Sequence, residues 1–196
     1  MTSTNTPLAA PANDHQPSPV QDPDRAVVAA EVPRPSAIIR TCTITPVDGH
    51  RHPVLAAAAG LAAQHRQRAE ARQVTSDPAA DDHVLAAAAR AVAAVDTGRA
   101  VLIDRIDQWA HAALPANRKA PVHTESLGGL VDRLTGAWTQ WNLVKDRDDP
   151  AGVDLASALL NHVSELSIGY DDLIADLRGG RRRLPRHQNP IAPIAA

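Results

Sequence analysis

Apolar residues recur at helical spacing over four long stretches of this chain, and the longest stretch is interrupted by an arginine. Between Val84 and Ala113, at about 100° per residue, Val84, Ala88, Val92, Val95, Leu102, Ile103, Ile106, Trp109 and Ala113 fall on one face. Arg99 projects from that same face, between Leu102 and Ile103. A guanidinium is permanently charged and carries five donors, so burying it unpaired is costly. The pattern therefore predicts an acidic partner, and with it a polar site inside an otherwise plain helical protein. It identifies neither a ligand nor a reaction.

The four helices are bounded by recognisable signals. The first runs from about Pro53 to Arg72, the second from Asp77-Pro78 to Ala113, the third from Thr124 to near Lys145, and the fourth from Asp149-Pro150 to Gly179-Gly180. Asp before Pro is a start signal because the carboxylate accepts a free N–H while Pro removes one that lacks a partner. Thr124 caps the third helix, with Glu125 near the positive end of its dipole. Thr97-Gly98 is the natural place for the second helix to break. Upstream, Ala37–Thr45 is β-branched and fenced by Pro33, Pro35 and Pro46, which predicts a short extended segment lying across the helices.

The core faces carry further polar residues. His65 lies at the centre of the first helix's face of Val54, Ala58, Leu61, Ala62 and Ala69. On the fourth, Leu155, Leu159, Val163, Leu166, Leu173 and Leu177 form a stripe that includes Tyr170 and borders His162. The third helix packs Leu127, Leu130, Val131, Leu134, Trp138 and Trp141, and its opposite face holds Glu125, Gly129, Asp132 and Gly136, with Gly128 beside them. Glu125 and Asp132 are two turns apart and point the same way, which makes them the acids to meet Arg99. The glycines cost helix stability, so they imply close approach by another backbone or by a ligand.

Composition narrows the function. Alanine supplies about a fifth of the 196 residues and phenylalanine is absent, which favours close-packed helices over a sheet sandwich. The formal charge of −2 is unevenly placed: five arginines fall within residues 178–187, and no acid follows Asp176. The arginine tail lacks the interleaved aromatics expected of a single-strand nucleic-acid binder. Cys42 is the lone cysteine, which excludes an internal disulfide and a cysteine zinc site. No apolar run approaches the roughly 20 residues of a membrane span. No basic segment leads into an apolar one at the N-terminus, so a cytoplasmic location is expected. His162-x-x-Glu165 is one weak ligand pair, and no Glu-x-x-His or phosphate-binding glycine loop occurs.

The segment His123-Thr124-Glu125-Ser126-Leu127-Gly128-Gly129-Leu130-Val131-Asp132-Arg133-Leu134 resembles the Thr-Glu-x-x-Gly-x-x-x-Asp-Arg-Leu signature of the bacterial domain of unknown function 4254 family. Arg99 followed by Asp104-Arg105-Ile106-Asp107 is similar to that family's Arg and acid-x-Ile-Asp run, and His65 to the histidine of its first helix. The resemblance covers roughly residues 54–180. It implies a helical bundle and the position of a site, and it supplies no chemistry.

These readings predict an all-α antiparallel bundle of four helices, five if the second breaks at Gly98. Residues 1–24 form a disordered tail, 25–52 an extended or irregular lead-in, 53–180 the bundle and 181–196 a basic, proline-containing tail. The candidate binding set is His65, Arg99, Thr124, Glu125, Asp132 and Arg133, with no cofactor and no metal expected. Two functions compete. One is a non-catalytic binding or assembly protein, with a protein partner or a second copy favoured over nucleic acid or membrane. The other is an enzyme or small-anion binder in which Arg99 holds a carboxylate or phosphate and His65 moves a proton. An open pocket shared by these side chains would favour the second, and side chains paired off in a closed core the first.

Overall fold

Each of the four long helices begins where a side chain accepts an unpaired backbone N–H, and these caps set the element boundaries. The computed structural model describes residues 31–43, 52–115 and 117–185. Five helices occur among them: α1 Pro35–Thr43, α2 Pro53–Thr75, α3 Asp82–Ala113, α4 Leu127–Val144 and α5 Pro150–Arg178. Ahead of α2, His52 Nδ1 accepts from the Val54 N–H, with Pro53 at the first helical position. Asp81 takes the Val84 N–H at the start of α3, and Asp149 the Gly152 N–H at the start of α5.

Three boundaries differ from expectation. The second long helix starts at Asp82, because Asp77 spends its carboxylate on the Ala79 N–H in a local turn. Helix α4 starts at Leu127, capped by Ser126 Oγ accepting from Gly129 N–H, so Thr124 and Glu125 lie outside it. Helix α3 is continuous through Gly98, and the fifth helix arises instead at Pro35–Thr43, where an extended segment was expected. There Ile38, Thr41 and Cys42 are buried at i, i+3 and i+4, and that burial overrides the β-branched composition. Expectations for residues 1–30, 44–51 and 186–196 lie outside the described residues.

The all-α class is borne out. Helix α4 is the centre of the fold and touches all four other helices. Short connections, 76–81 and 145–149, make α2/α3 and α4/α5 antiparallel neighbours. The core gathers Ile38, Val54, Leu61, Ile106, Leu127, Val131, Leu134, Tyr170 and Leu177, all essentially inaccessible. Each large aliphatic residue so buried contributes about 1.5–3 kcal/mol. Tyr170 Oη donates to the Pro33 carbonyl at 2.9 Å, which ties the lead-in of α1 to α5. Burial pushes its phenol well above the ordinary range.

The core does not run the full length of α2 and α3. Buried positions on α2 end at Ala62, and in the first half of α3 only Ala88 and Val95 are buried. Val74 and Val84, at the far end of this pair, are more than a third exposed. A groove of about 710 Å³ runs between them, lined mainly by alanines and valines, with Gln64, Gln67 and Glu70 along one side.

Candidate functional site

Where the three-helix contact of α2, α3 and α4 begins, five charged or titratable side chains meet. Arg99 on α3 faces Asp132 on α4: Nε donates to Oδ1 at 3.1 Å and Nη2 to Oδ2 at 2.5 Å. This two-pronged geometry is the arrangement in which arginine binds a carboxylate most strongly. The third nitrogen, Nη1, donates to Asp96 Oδ1 at 2.8 Å, one turn back on α3. From α2, His65 Nε2 donates to both Oδ1 and the backbone carbonyl of Asp132, each at 3.0 Å. Arg68, one turn beyond His65, pairs with Asp96: Nη2 donates to Oδ2 at 3.5 Å, and Nε lies 2.9 Å from Oδ1 without the alignment of a hydrogen bond.

The cluster is thus a chain, His65–Asp132–Arg99–Asp96–Arg68, that joins three helices. Exposure is lowest at Asp132 and His65, peaks at Asp96 and falls again at Arg68, which is 26% exposed. The Asp132 side chain is 10% exposed, His65 13%, Arg99 19% and Asp96 42%. Burial pushes the Asp132 carboxyl up, but hydrogen bonds and charge from His65 and Arg99 outweigh it and hold the group below the usual carboxylate range. The hydrogen bond from Arg99 to Asp132 in turn raises the guanidinium further, so this pair stays ionised.

Two glycines make the approach feasible. A Cβ on Gly136 would lie 2.9 Å from His65 Cε1, so the imidazole rests directly on the α4 backbone. A Cβ on Gly128 would collide with the Ile103 carbonyl oxygen of α3. One turn after Ile103, Asp107 Oδ1 accepts the Gly128 N–H at 2.7 Å. Burial pushes the Asp107 carboxyl up, only partly offset by hydrogen bonds from Ser126 and Gly128. The acid of the Asp-Arg-Ile-Asp run is therefore a second cap for α4.

These contacts account for Gly128 and Asp132 of the signature segment. Ser126 and Asp107 start α4, Gly128 lets α3 approach, and Asp132 meets Arg99 and His65. The family model described as protein of unknown function (DUF4254) matches residues 57–185. The chain belongs to this family. No curated protein and no solved structure matches it.

Of the six candidate residues, the structure brings His65, Arg99 and Asp132 together. The other three stand apart from the cluster. Glu125 pairs with Arg133 at 3.0 Å, with Arg133 half exposed, and Thr124 is exposed ahead of the α4 cap. Asp96, Arg68 and Asp107 were not among the candidates. Asp96 had a signal, as an acid three residues before Arg99 on one helical face. Arg68 had the same relation to His65. The exposed His162–Glu165 pair, 3.9 Å apart, joins no further ligand among the described residues.

Proposed function

We propose that this DUF4254 protein is a non-catalytic binding or assembly protein in which the Arg99 cluster locks the helices in register. The observation that carries this reading is the use of the guanidinium. All three Arg99 nitrogens donate to carboxylates of this chain, so the anion it holds is internal. The imidazole of His65 likewise spends Nε2 on Asp132 and lies against Gly136. A substrate site needs unsatisfied groups that face a cavity, and the three described cavities are lined by other residues. The apolar positions left open on the long helices, among them Val84, Leu155, Leu160 and Ile168, support contact with another macromolecule.

The test has two arms. Tagged chain recovered from its own cells is expected to travel with a defined protein partner, or as a multiple of 20.7 kDa, and His65→Gln to recover the same assembly. Incubation of purified wild type with the small-molecule pool of those cells is expected to consume nothing. A metabolite consumed by wild type and spared by His65→Gln would overturn the reading in favour of an enzyme.

A further inference from the structure

At the end of the bundle opposite the α2–α3 arm, the C-terminal ends of α3 and α5 leave a cleft of about 490 Å³. That volume lies within the range of small-ligand sites, roughly 300–1,000 Å³. Its floor is apolar, formed by Ala110, Leu114, Leu177 and Leu184. Its rim carries two cations, Arg118 from the α3–α4 connection and Arg183 from the segment after α5, with the His111 ring beside them.

The rim is built rather than loose. Gly180, at φ 66°, turns the chain after α5, and Asn117 Nδ2 donates to its carbonyl at 2.9 Å. Residue 183 then pairs in parallel with the 121–123 segment: Arg183 N–H donates to Pro121 O at 3.1 Å, and His123 N–H to Arg183 O at 2.8 Å. The Arg183 side chain is itself anchored through Nε, which donates to Ala120 O at 3.1 Å. Both terminal nitrogens of its fork are left without a protein partner among the described residues. Arg118 pairs with no carboxylate there either, nor do Lys119 and Arg182. Asp176, the acid closest in sequence to the basic segment, is taken by Arg181 at 2.7 Å. The contrast with Arg99 is direct. There the cations are neutralised internally, and here they line an apolar hollow.

We propose that this cleft binds a small anion carrying an apolar chain, with its carboxylate or phosphate on Arg118 and Arg183 and its chain on Leu114, Leu177 and Leu184. Two planar forks suit either anion, because each offers parallel N–H groups to a pair of oxygens. The apolar floor distinguishes the ligand from inorganic phosphate or acetate, which would leave the leucines wet.

The test is calorimetric titration of the full chain with octanoate and with octyl phosphate, alongside octanol and acetate. At least one octyl anion is expected to bind saturably, one per chain, and which one binds tells carboxylate from phosphate ligands. Octanol and acetate are expected to bind about tenfold or more weakly, since each lacks one half of the recognition. Arg118→Gln, at an exposed position without a partner, is expected to keep the helical spectrum and weaken the octyl anion about tenfold. Amide shifts on binding are expected to centre on His111 and Leu184. The proposal fails if neither octyl anion binds saturably, if Arg118→Gln binds as wild type does, or if the shifts centre elsewhere.

Discussion

Arg99 grips Asp132 with two nitrogens, 3.1 Å and 2.5 Å from the two carboxylate oxygens, and thereby fastens α3 to the first half of α4. The pair lies deep enough to be costly when broken and shallow enough for water to soften the loss. Removing one partner of a fully buried pair costs about 3–5 kcal/mol. With the Arg99 side chain 19% exposed, Arg99→Ala is expected to cost about 2–3 kcal/mol. Arg99→Lys should fall between, since an ammonium restores charge without the fork. Urea unfolding of the singles and of Arg99→Ala with Asp132→Ala should show a coupling of at least about 1 kcal/mol. Strict additivity would mean that the contact does not hold the helices together.

The glycines give a ranked series. Gly169 has open space around its missing side chain, so Gly169→Ala should gain helix propensity and stabilise by about 0.5–1 kcal/mol. Gly136→Ala would press on the His65 ring, which must shift out of its contact with Asp132, at a cost of about 1–3 kcal/mol. Gly128→Ala meets backbone, the Ile103 carbonyl, together with the Asp107 carboxylate that caps α4. Backbone cannot rotate away, so this variant should be the worst of the three. Thermal melts in the order Gly169→Ala, wild type, Gly136→Ala, Gly128→Ala check the series, and a Gly128→Ala protein as stable as wild type would refute the close approach.

What the sequence made legible was the conflict, and what it hid was the neighbourhood. An arginine on an apolar stripe demanded an acid, and Asp132 was one of the two on offer because its helix position was readable from spacing. Glu125 was the other, and it failed because α4 begins only at Leu127, so its orientation does not follow that of Asp132. The glycines on the face of α4 opposite the leucines pointed to close approach, and Gly128, Asp132 and Gly136 are all buried, but spacing did not say which helix covers them. A central helix is covered on every side, and periodicity alone cannot distinguish a second buried face rich in glycine from a solvated one. The same limit applies to Val84. It sits on the right stripe, but α4 does not reach that far along α3, so it stays exposed. Helix α1 was hidden by propensity, although Ile38, Thr41 and Cys42 carried a helical spacing.

Cys42 should be almost inert in the folded protein. Burial pushes its thiol up to about 11, against weaker opposing effects of Thr41 and Arg66. The thiolate is the reactive form, and at pH 8 it would be roughly a hundredfold scarcer than for a cysteine at the ordinary value of 9.0. Reaction with a disulfide reagent is expected to be slow in buffer and to become fast once denaturant opens the chain. Rapid labelling of the native protein would show that α1 does not stay seated on α2 and α4.

Acid should release the Asp132 lock. A carboxyl whose folded value lies below its unfolded one stabilises the protein at neutral pH, where both states are ionised and only the folded one has His65 and Arg99 as partners. As pH falls past the ordinary value near 4 and through the depressed folded value, that contribution disappears. Asp107 works in the opposite sense. Its folded value is raised, so it favours the folded state at low pH and that advantage is lost as pH rises through its folded value. A raw stability profile mixes the two, and the informative quantity is the difference between wild type and Asp132→Asn. That difference is expected to be greatest near pH 6–7 and to shrink below about pH 4, read from urea unfolding at each pH. A difference that stays constant from pH 7 down to about 3 would show that Asp132 acts through shape alone and that its charge contributes nothing to joining the helices.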